Sequence, residues 1–177
     1  ARAKAACRWL PLSSNVRPRN STLMLSVRPL SQQPTLKPLV SSWLLSEWPT
    51  WYGEGGEGNL EGDIEAFAAS EHQLPVGLVA FLGETPIAFG SLKRESIKSH
   101  PHLFPWAASG YVLPVHRGQG VGAFLLRGLS AQAHRLGYQQ VYCGTSTATS
   151  LLVRAGWHVV EQVQHVGKPL TIFRSGA

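Results

Sequence analysis

The chain has 177 residues, 44% of them hydrophobic, which is enough for one domain with a real core. It contains no apolar run of 18 or more residues, so nothing in it reads as a membrane-spanning helix. Its formal charge of +6 is unevenly spread: residues 1–37 carry seven basic residues and no acid, 38–92 eight acids and no Lys or Arg, 93–177 nine basic residues and two acids. A nucleic-acid groove needs one continuous basic face, and this alternation argues against one. Cys7 and Cys143 fall in a probable tail and a probable strand, so no disulfide framework is expected. A reduced, cytoplasmic protein is the expectation. No His, Cys or acid spacing suggests a metal site around His72, His100, His102 or His116.

In chain order, residues 1–22 show no sustained period and are read as a mobile extension, leaving 23–177 as a single domain. The extension's Arg-rich, acid-free composition also describes a transit peptide. It lacks a clean amphipathic pattern, and an over-extended start is the favoured reading. Leu23–Arg28 alternates like a first strand. Leu36–Trp48 places Leu36, Leu39, Val40, Trp43, Leu44 and Leu45 on one helical face, stopped by Pro49. The glycine-rich segment Gly53–Gly58 reads as a flexible lid or insert, and Gly62–Ser70 as a second helix. Val76–Leu82 and Pro86–Lys93 read as strands around a Gly83-Glu84-Thr85 turn. A long connection over 95–108 precedes a strand at about Ala108–Val115, and long connections are often functional. A helix over Val121–Leu136 follows, with Leu125, Leu126, Leu129, Ala133 and Leu136 as its apolar stripe. Gln140–Thr145 is a strand, Thr149–Arg154 a short helix, and Trp157–Gln164 with Pro169–Phe173 a closing hairpin.

The stretch with chemistry in it is Tyr111-Val112-Leu113-Pro114, the turn Arg117-Gly118-Gln119-Gly120-Val121-Gly122, and the helix after it. A helix N-terminus leaves backbone N–H groups unpaired and carries partial positive charge. Glycines let a ligand oxygen approach that backbone. Phosphate is the usual occupant of such a site. No Lys follows Gly122, which removes the P-loop pattern. The glycines are spaced two apart with no acid about 20 residues on, which disfavours a dinucleotide fingerprint. The pattern [Q/R]-x-x-G-x-[G/A] fits Arg117–Gly122 position by position.

With its flanks, this stretch resembles the GNAT superfamily of acyl-CoA-dependent N-acyltransferases. Val112-Leu113-Pro114-x-x-Arg117-Gly118 is similar to that family's strand end. Leu136-Gly137-Tyr138 is similar to the end of its coenzyme helix, Thr145 to the end of its next strand, and Ala155-Gly156-Trp157 to its late turn. The likeness covers about residues 105 to 174 well and the earlier part in outline.

The resemblance implies an α/β (α+β) GNAT fold, whose central mixed sheet is mostly antiparallel, with six to seven strands and about four flanking helices. The sheet is splayed between its fourth and fifth strands. It also implies acetyl-CoA as co-substrate, no metal, an amine acceptor and direct attack in a ternary complex, with a homodimer an open possibility. The backbone of Gly118, Gln119, Gly120, Val121 and Gly122 would grip the pyrophosphate. Arg117 either adds charge or pins the turn. Tyr111, Val112 and Leu113 would pair with the pantetheine arm as with an added strand, and the Val112 N–H would serve as oxyanion donor.

The family's usual general acid, a Tyr four residues before the late Gly, is here Leu152. That departure motivates an alternative, a non-catalytic acyl-CoA-binding domain of the same fold. Candidate bases are Glu47 and His102 first, then Glu95, His100 and His116. Trp48, Trp51, Tyr52 and Trp106 are either acceptor-pocket aromatics or core. Cys143 reads as core. The acidic middle of the chain would attract an amine cation and the basic remainder the coenzyme phosphates.

Overall fold

The computed structural model describes residues 24–165 and 167–176. The expected extension over 1–22 lies outside them. Seven strands form one sheet in the order β1-β2-β3-β4-β5-β7-β6. They are β1 (Leu25–Pro29), β2 (Val76–Leu82), β3 (Thr85–Lys93), β4 (Trp106–Val112), β5 (Tyr142–Thr145), β6 (His158–His165) and β7 (Lys168–Arg174). Every neighbouring pair is antiparallel except β4–β5, which is parallel. The helices are α1 (Lys37–Glu47), α2 (Pro49–Tyr52), α3 (Leu60–Ala69), α4 (Val121–Arg135) and α5 (Thr149–Arg154).

Both faces of the sheet are covered, and the side-chain alternation of β2 shows how. Val76, Leu78 and Ala80 pack with Leu125, Leu126 and Leu129 of α4. Val79 and Phe81 face the other way, onto Val40 and Leu44 of α1 and Phe67 of α3. A strand buried on both faces reads as a continuous apolar run, which is why Val76–Leu82 shows no polar alternation. A third cluster, Ile97, Trp106 and Ile172, closes the end of the sheet where β4 meets β5 and β7.

Local chemistry sets the element ends. Pro49 disfavours helical backbone at Trp48, and α1 stops at Glu47. The Asn59 side chain accepts from the Gly62 N–H at 2.9 Å, capping α3, and Glu61 and Asp63 follow in its first turn, where the helix dipole favours anions. Gly137, at φ 89°, ends α4 in the left-handed conformation.

Two expectations change, and one open reading, Trp106, is decided. The fourth strand begins at Trp106, not Ala108, and stops at Val112. Pro114 has no N–H for a ladder, and Pro114–His116 turns as a 3₁₀ helix instead. Trp106 is fully buried and its indole N–H donates to the Leu103 carbonyl, so it is core and not an acceptor-pocket aromatic. The Gly53–Gly58 run is a folded turn, begun by the short helix α2 that sequence pattern missed. The Gly53 N–H donates to the Pro49 carbonyl at 2.8 Å and the Gly58 N–H to the Trp51 carbonyl at 2.8 Å. The glycines there admit close packing against the Trp51 backbone and ring.

Candidate functional site

At the start of α4, Gly118 (φ 73°) and Gly120 (φ 82°) adopt left-handed backbone that other residues resist. A Cβ at either would meet nothing within 4 Å, so their requirement is conformational and the space outside them is open. The first turn of α4 carries no acid and no side-chain cap, and the Phe124 N–H is bonded to the Gly120 carbonyl at 3.0 Å. The amides just before it have no acceptor within the helix, and Gly120, Gly122 and Ala123 line the opening. The Gln119 side chain folds back onto the Val115 carbonyl at 2.8 Å, so only its backbone is offered to a ligand.

β4 and β5 are paired only at Trp106↔Tyr142 and diverge from there. Beyond that rung one edge of β4 has no strand beside it. A β-bulge lies on the same strand: Phe89 pairs with Tyr111 and Ser91 with Ala108, so Ser109 and Gly110 together oppose Gly90. Ser109 is the one non-glycine residue with positive φ (53°) among the described residues. The buried Ser91 hydroxyl donates to the Ala108 carbonyl at 3.2 Å and holds the bulge from below.

The three residues expected to pair with a pantetheine arm are not equivalent. The Leu113 N–H donates to the Ile87 carbonyl at 2.9 Å, and the Leu113 carbonyl accepts from the His116 N–H at 2.9 Å. Alternation along the strand turns the Tyr111 backbone toward β3 as well and the Val112 backbone toward the splay. The Val112 carbonyl accepts from Arg117 Nε at 2.8 Å. Its N–H is the group left facing the gap. The Tyr111 ring, 7% exposed, stacks on Trp43 of α1 with centroids 5.5 Å apart.

Arg117 therefore pins the turn. Besides Val112 it pairs with Glu47, Nη2 to Oε2 at 3.1 Å, and its guanidinium lies 5.6 Å from the centre of the Tyr111 ring. Glu47, at the end of α1, lines a cavity of about 730 Å³ together with Arg117, Gly118, Gly120 and Arg154. This opens into a narrower apolar one of about 140 Å³, walled by β4, α4 and α5 and bounded by Leu152. His102 is exposed and lines neither cavity; its ring lies 5.7 Å from that of His100, whose Nε2 is 2.8 Å from Glu161 Oε1. The structure thus brings Glu47 to the cleft and leaves His100, His102 and Glu95 outside it. Burial pushes the Cys143 thiol up to about 12, as befits a core residue.

A family model described as the acetyltransferase (GNAT) family matches residues 39–154. The chain belongs to the GNAT acetyltransferase family. No curated protein matches it in sequence. Among solved structures it is similar to an aminoglycoside 6'-N-acetyltransferase complexed with coenzyme A, at 14% identity and TM-score 0.68, covering 85% of this chain and 96% of that one. It is likewise similar to the aminoglycoside 6'-N-acetyltransferase from Enterococcus faecium (15% identity, TM-score 0.65, covering 86% and 96%). A third is yncA from Salmonella typhimurium with its cofactor acetyl-CoA (18% identity, TM-score 0.61, covering 85% and 92%). At these identities the likeness is one of fold.

For this GNAT acetyltransferase, sequence pattern missed two parts of the cleft. One is the Ser109-Gly110 bulge, which an isolated glycine inside a strand could have signalled. The other is the far wall, Thr147, Ala148, Leu151 and Arg154, contributed by the β5–α5 junction. There the Thr145 hydroxyl accepts from the Thr147 N–H at 3.1 Å and the Ala148 N–H at 2.9 Å, shaping the turn into α5.

Proposed function

We propose that the protein is an N-acetyltransferase that moves the acetyl group of acetyl-CoA to a primary amine by direct attack in a ternary complex. The observation that carries this reading is one continuous cleft. A glycine turn at the N-terminus of α4 opens its mouth, an unpaired β4 edge lines its side, and an apolar pocket closes its end. Pyrophosphate oxygens would accept from the backbone over Gly118–Gly122. The pantetheine arm would lie along β4, and the thioester carbonyl would reach the bulge.

The amine nitrogen attacks that carbonyl carbon, and charge builds on the oxygen. The Val112 N–H, turned toward the gap, is our oxyanion donor. Collapse of the tetrahedral intermediate breaks the carbon–sulfur bond. Leu152 offers no proton to the sulfur, so the coenzyme leaves as thiolate, and the proton shed by the amine passes to solvent or to a base. Glu47 is the base we favour over His102 because it lines the cleft. The chain around it is acidic, which supports a cationic acceptor: residues 38–92 carry eight acids and no Lys or Arg, of which Glu65 is paired with Lys37, and Trp51 stands exposed. An acidic surface draws amine cations to it.

Leu152 favours one second reading, a domain that binds acyl-CoA without turning it over. Incubating the protein with acetyl-CoA and a panel of primary amines, with release of free thiol as readout, separates the two. Thiol release that needs both an amine and intact protein supports catalysis. Tight acetyl-CoA binding without release on any amine supports the second reading.

A further inference from the structure

The apolar end of the cleft is larger than an acetyl group needs. Its walls are Ala107 and Ala108 of β4, Leu125 and Leu129 of α4, and Leu152 of α5. None of these side chains carries a polar atom. Ala107, buried in one cluster with Leu125, Leu129 and Leu152, recesses the strand wall on this face, where strands more often carry β-branched or aromatic residues. Across from it Leu152 presents methyl groups in place of a ring and hydroxyl. The cavity measures about 140 Å³, and an apolar cavity on the order of 150 Å³ holds a six-carbon ring. An acetyl thioester brings sulfur, two carbons and an oxygen. By the same comparison it leaves room for roughly two more carbons. Apolar walls with nothing against them lose dispersion contacts, so the cavity favours a group that fills it. A carboxylate buried there would find no partner, which disfavours dicarboxylic acyl groups.

We infer that the donor site takes unbranched acyl groups longer than acetyl, namely propionyl and butyryl, with the chain seated between Ala107 and Leu152. This rests on the donor-site reading above and extends it to the acyl group. The test is calorimetric titration of the full chain with coenzyme A, acetyl-CoA, propionyl-CoA, butyryl-CoA and malonyl-CoA, which needs no knowledge of the acceptor. The expected result is a dissociation constant that falls about fourfold for each added methylene from acetyl to butyryl, with malonyl-CoA binding more weakly than propionyl-CoA. A constant that stays level or rises from acetyl to butyryl overturns the inference and leaves the acetyltransferase reading standing. Failure of coenzyme A and every thioester to bind overturns the donor site itself, and the inference with it. Ala107→Leu gives a second test by filling the slot: butyryl-CoA should lose its advantage over acetyl-CoA, with coenzyme A binding by the variant reporting an intact fold and turn. An undiminished advantage in that variant places the chain elsewhere and overturns the inference.

Discussion

At the scale of single residues, the cleft depends on backbone more than on side chains. Gly118 and Gly120 are needed for their left-handed conformation, and Val112 for an N–H that points into a gap. Arg117 shows how a charged residue in a binding motif can be structural. Its three contacts tie the strand end, the turn and the end of α1 into one unit. Gly120→Glu tests the phosphate assignment. It imposes a side chain on a backbone at φ 82° and puts a negative charge at the helix N-terminus. Acetyl-CoA binding should fall at least a hundredfold by titration, with the far-ultraviolet dichroism of the native protein retained. Unchanged affinity would remove the turn from the coenzyme site.

At the scale of elements, legibility followed the physics of each segment. The hexapeptide Arg117–Gly122 was readable because a turn at a helix N-terminus uses residues whose conformational roles are local. Thr149–Arg154 was placed to the residue for the same reason. α2 and the folded glycine turn were missed because four residues carry no period, and because their bonds to Trp51 are formed in three dimensions. Trp106 was ambiguous in sequence, since an aromatic in a long connection has no neighbours until β5 and β7 close around it. The position of Glu47 beside Arg117 joins residues seventy apart and has no sequence signal.

The wall made by the β5–α5 junction depends on one hydroxyl, and that yields a second prediction. Thr145→Val keeps the shape of the side chain and removes the acceptor for two backbone N–H groups. The expected cost is about 1 to 2 kcal/mol of unfolding free energy, read by urea denaturation. Coenzyme affinity should weaken in parallel, because Thr147 and Ala148 line the cleft. A variant as stable as the parent would show that the turn holds without the hydroxyl.

For the whole molecule, stability has an alkaline limit set inside the core. The Cys143 thiol sits at about 12 in the folded protein against an ordinary value of 9.0, because burial disfavours the thiolate. The folded state therefore keeps a proton that the unfolded chain gives up. This contribution is full below about pH 9 and is lost as pH rises toward 12. Tyr52 acts in the same direction, its phenol pushed up by burial and by its 2.7 Å hydrogen bond to Asp63. Cys143→Ala should flatten the fall of the urea midpoint between pH 9 and 12, whatever its stability at neutral pH. An unchanged slope would assign that fall to other groups.

The single rung between β4 and β5 bears on how the molecule is assembled. Strands β1 to β4 form one antiparallel ladder, and β5 to β7 form a second antiparallel unit. Backbone ladders hold each unit together, while the two meet through one strand pair, the packing of α4 and α5, and the Ile97, Trp106 and Ile172 cluster. Each unit contains one tight hairpin, β2–β3 and β6–β7, which closes over a short stretch of chain, the kind of contact that forms quickly. The cleft lies on the seam between the units and takes walls from both. No fragment containing only one unit encloses it, so the cleft is completed only when the two halves dock.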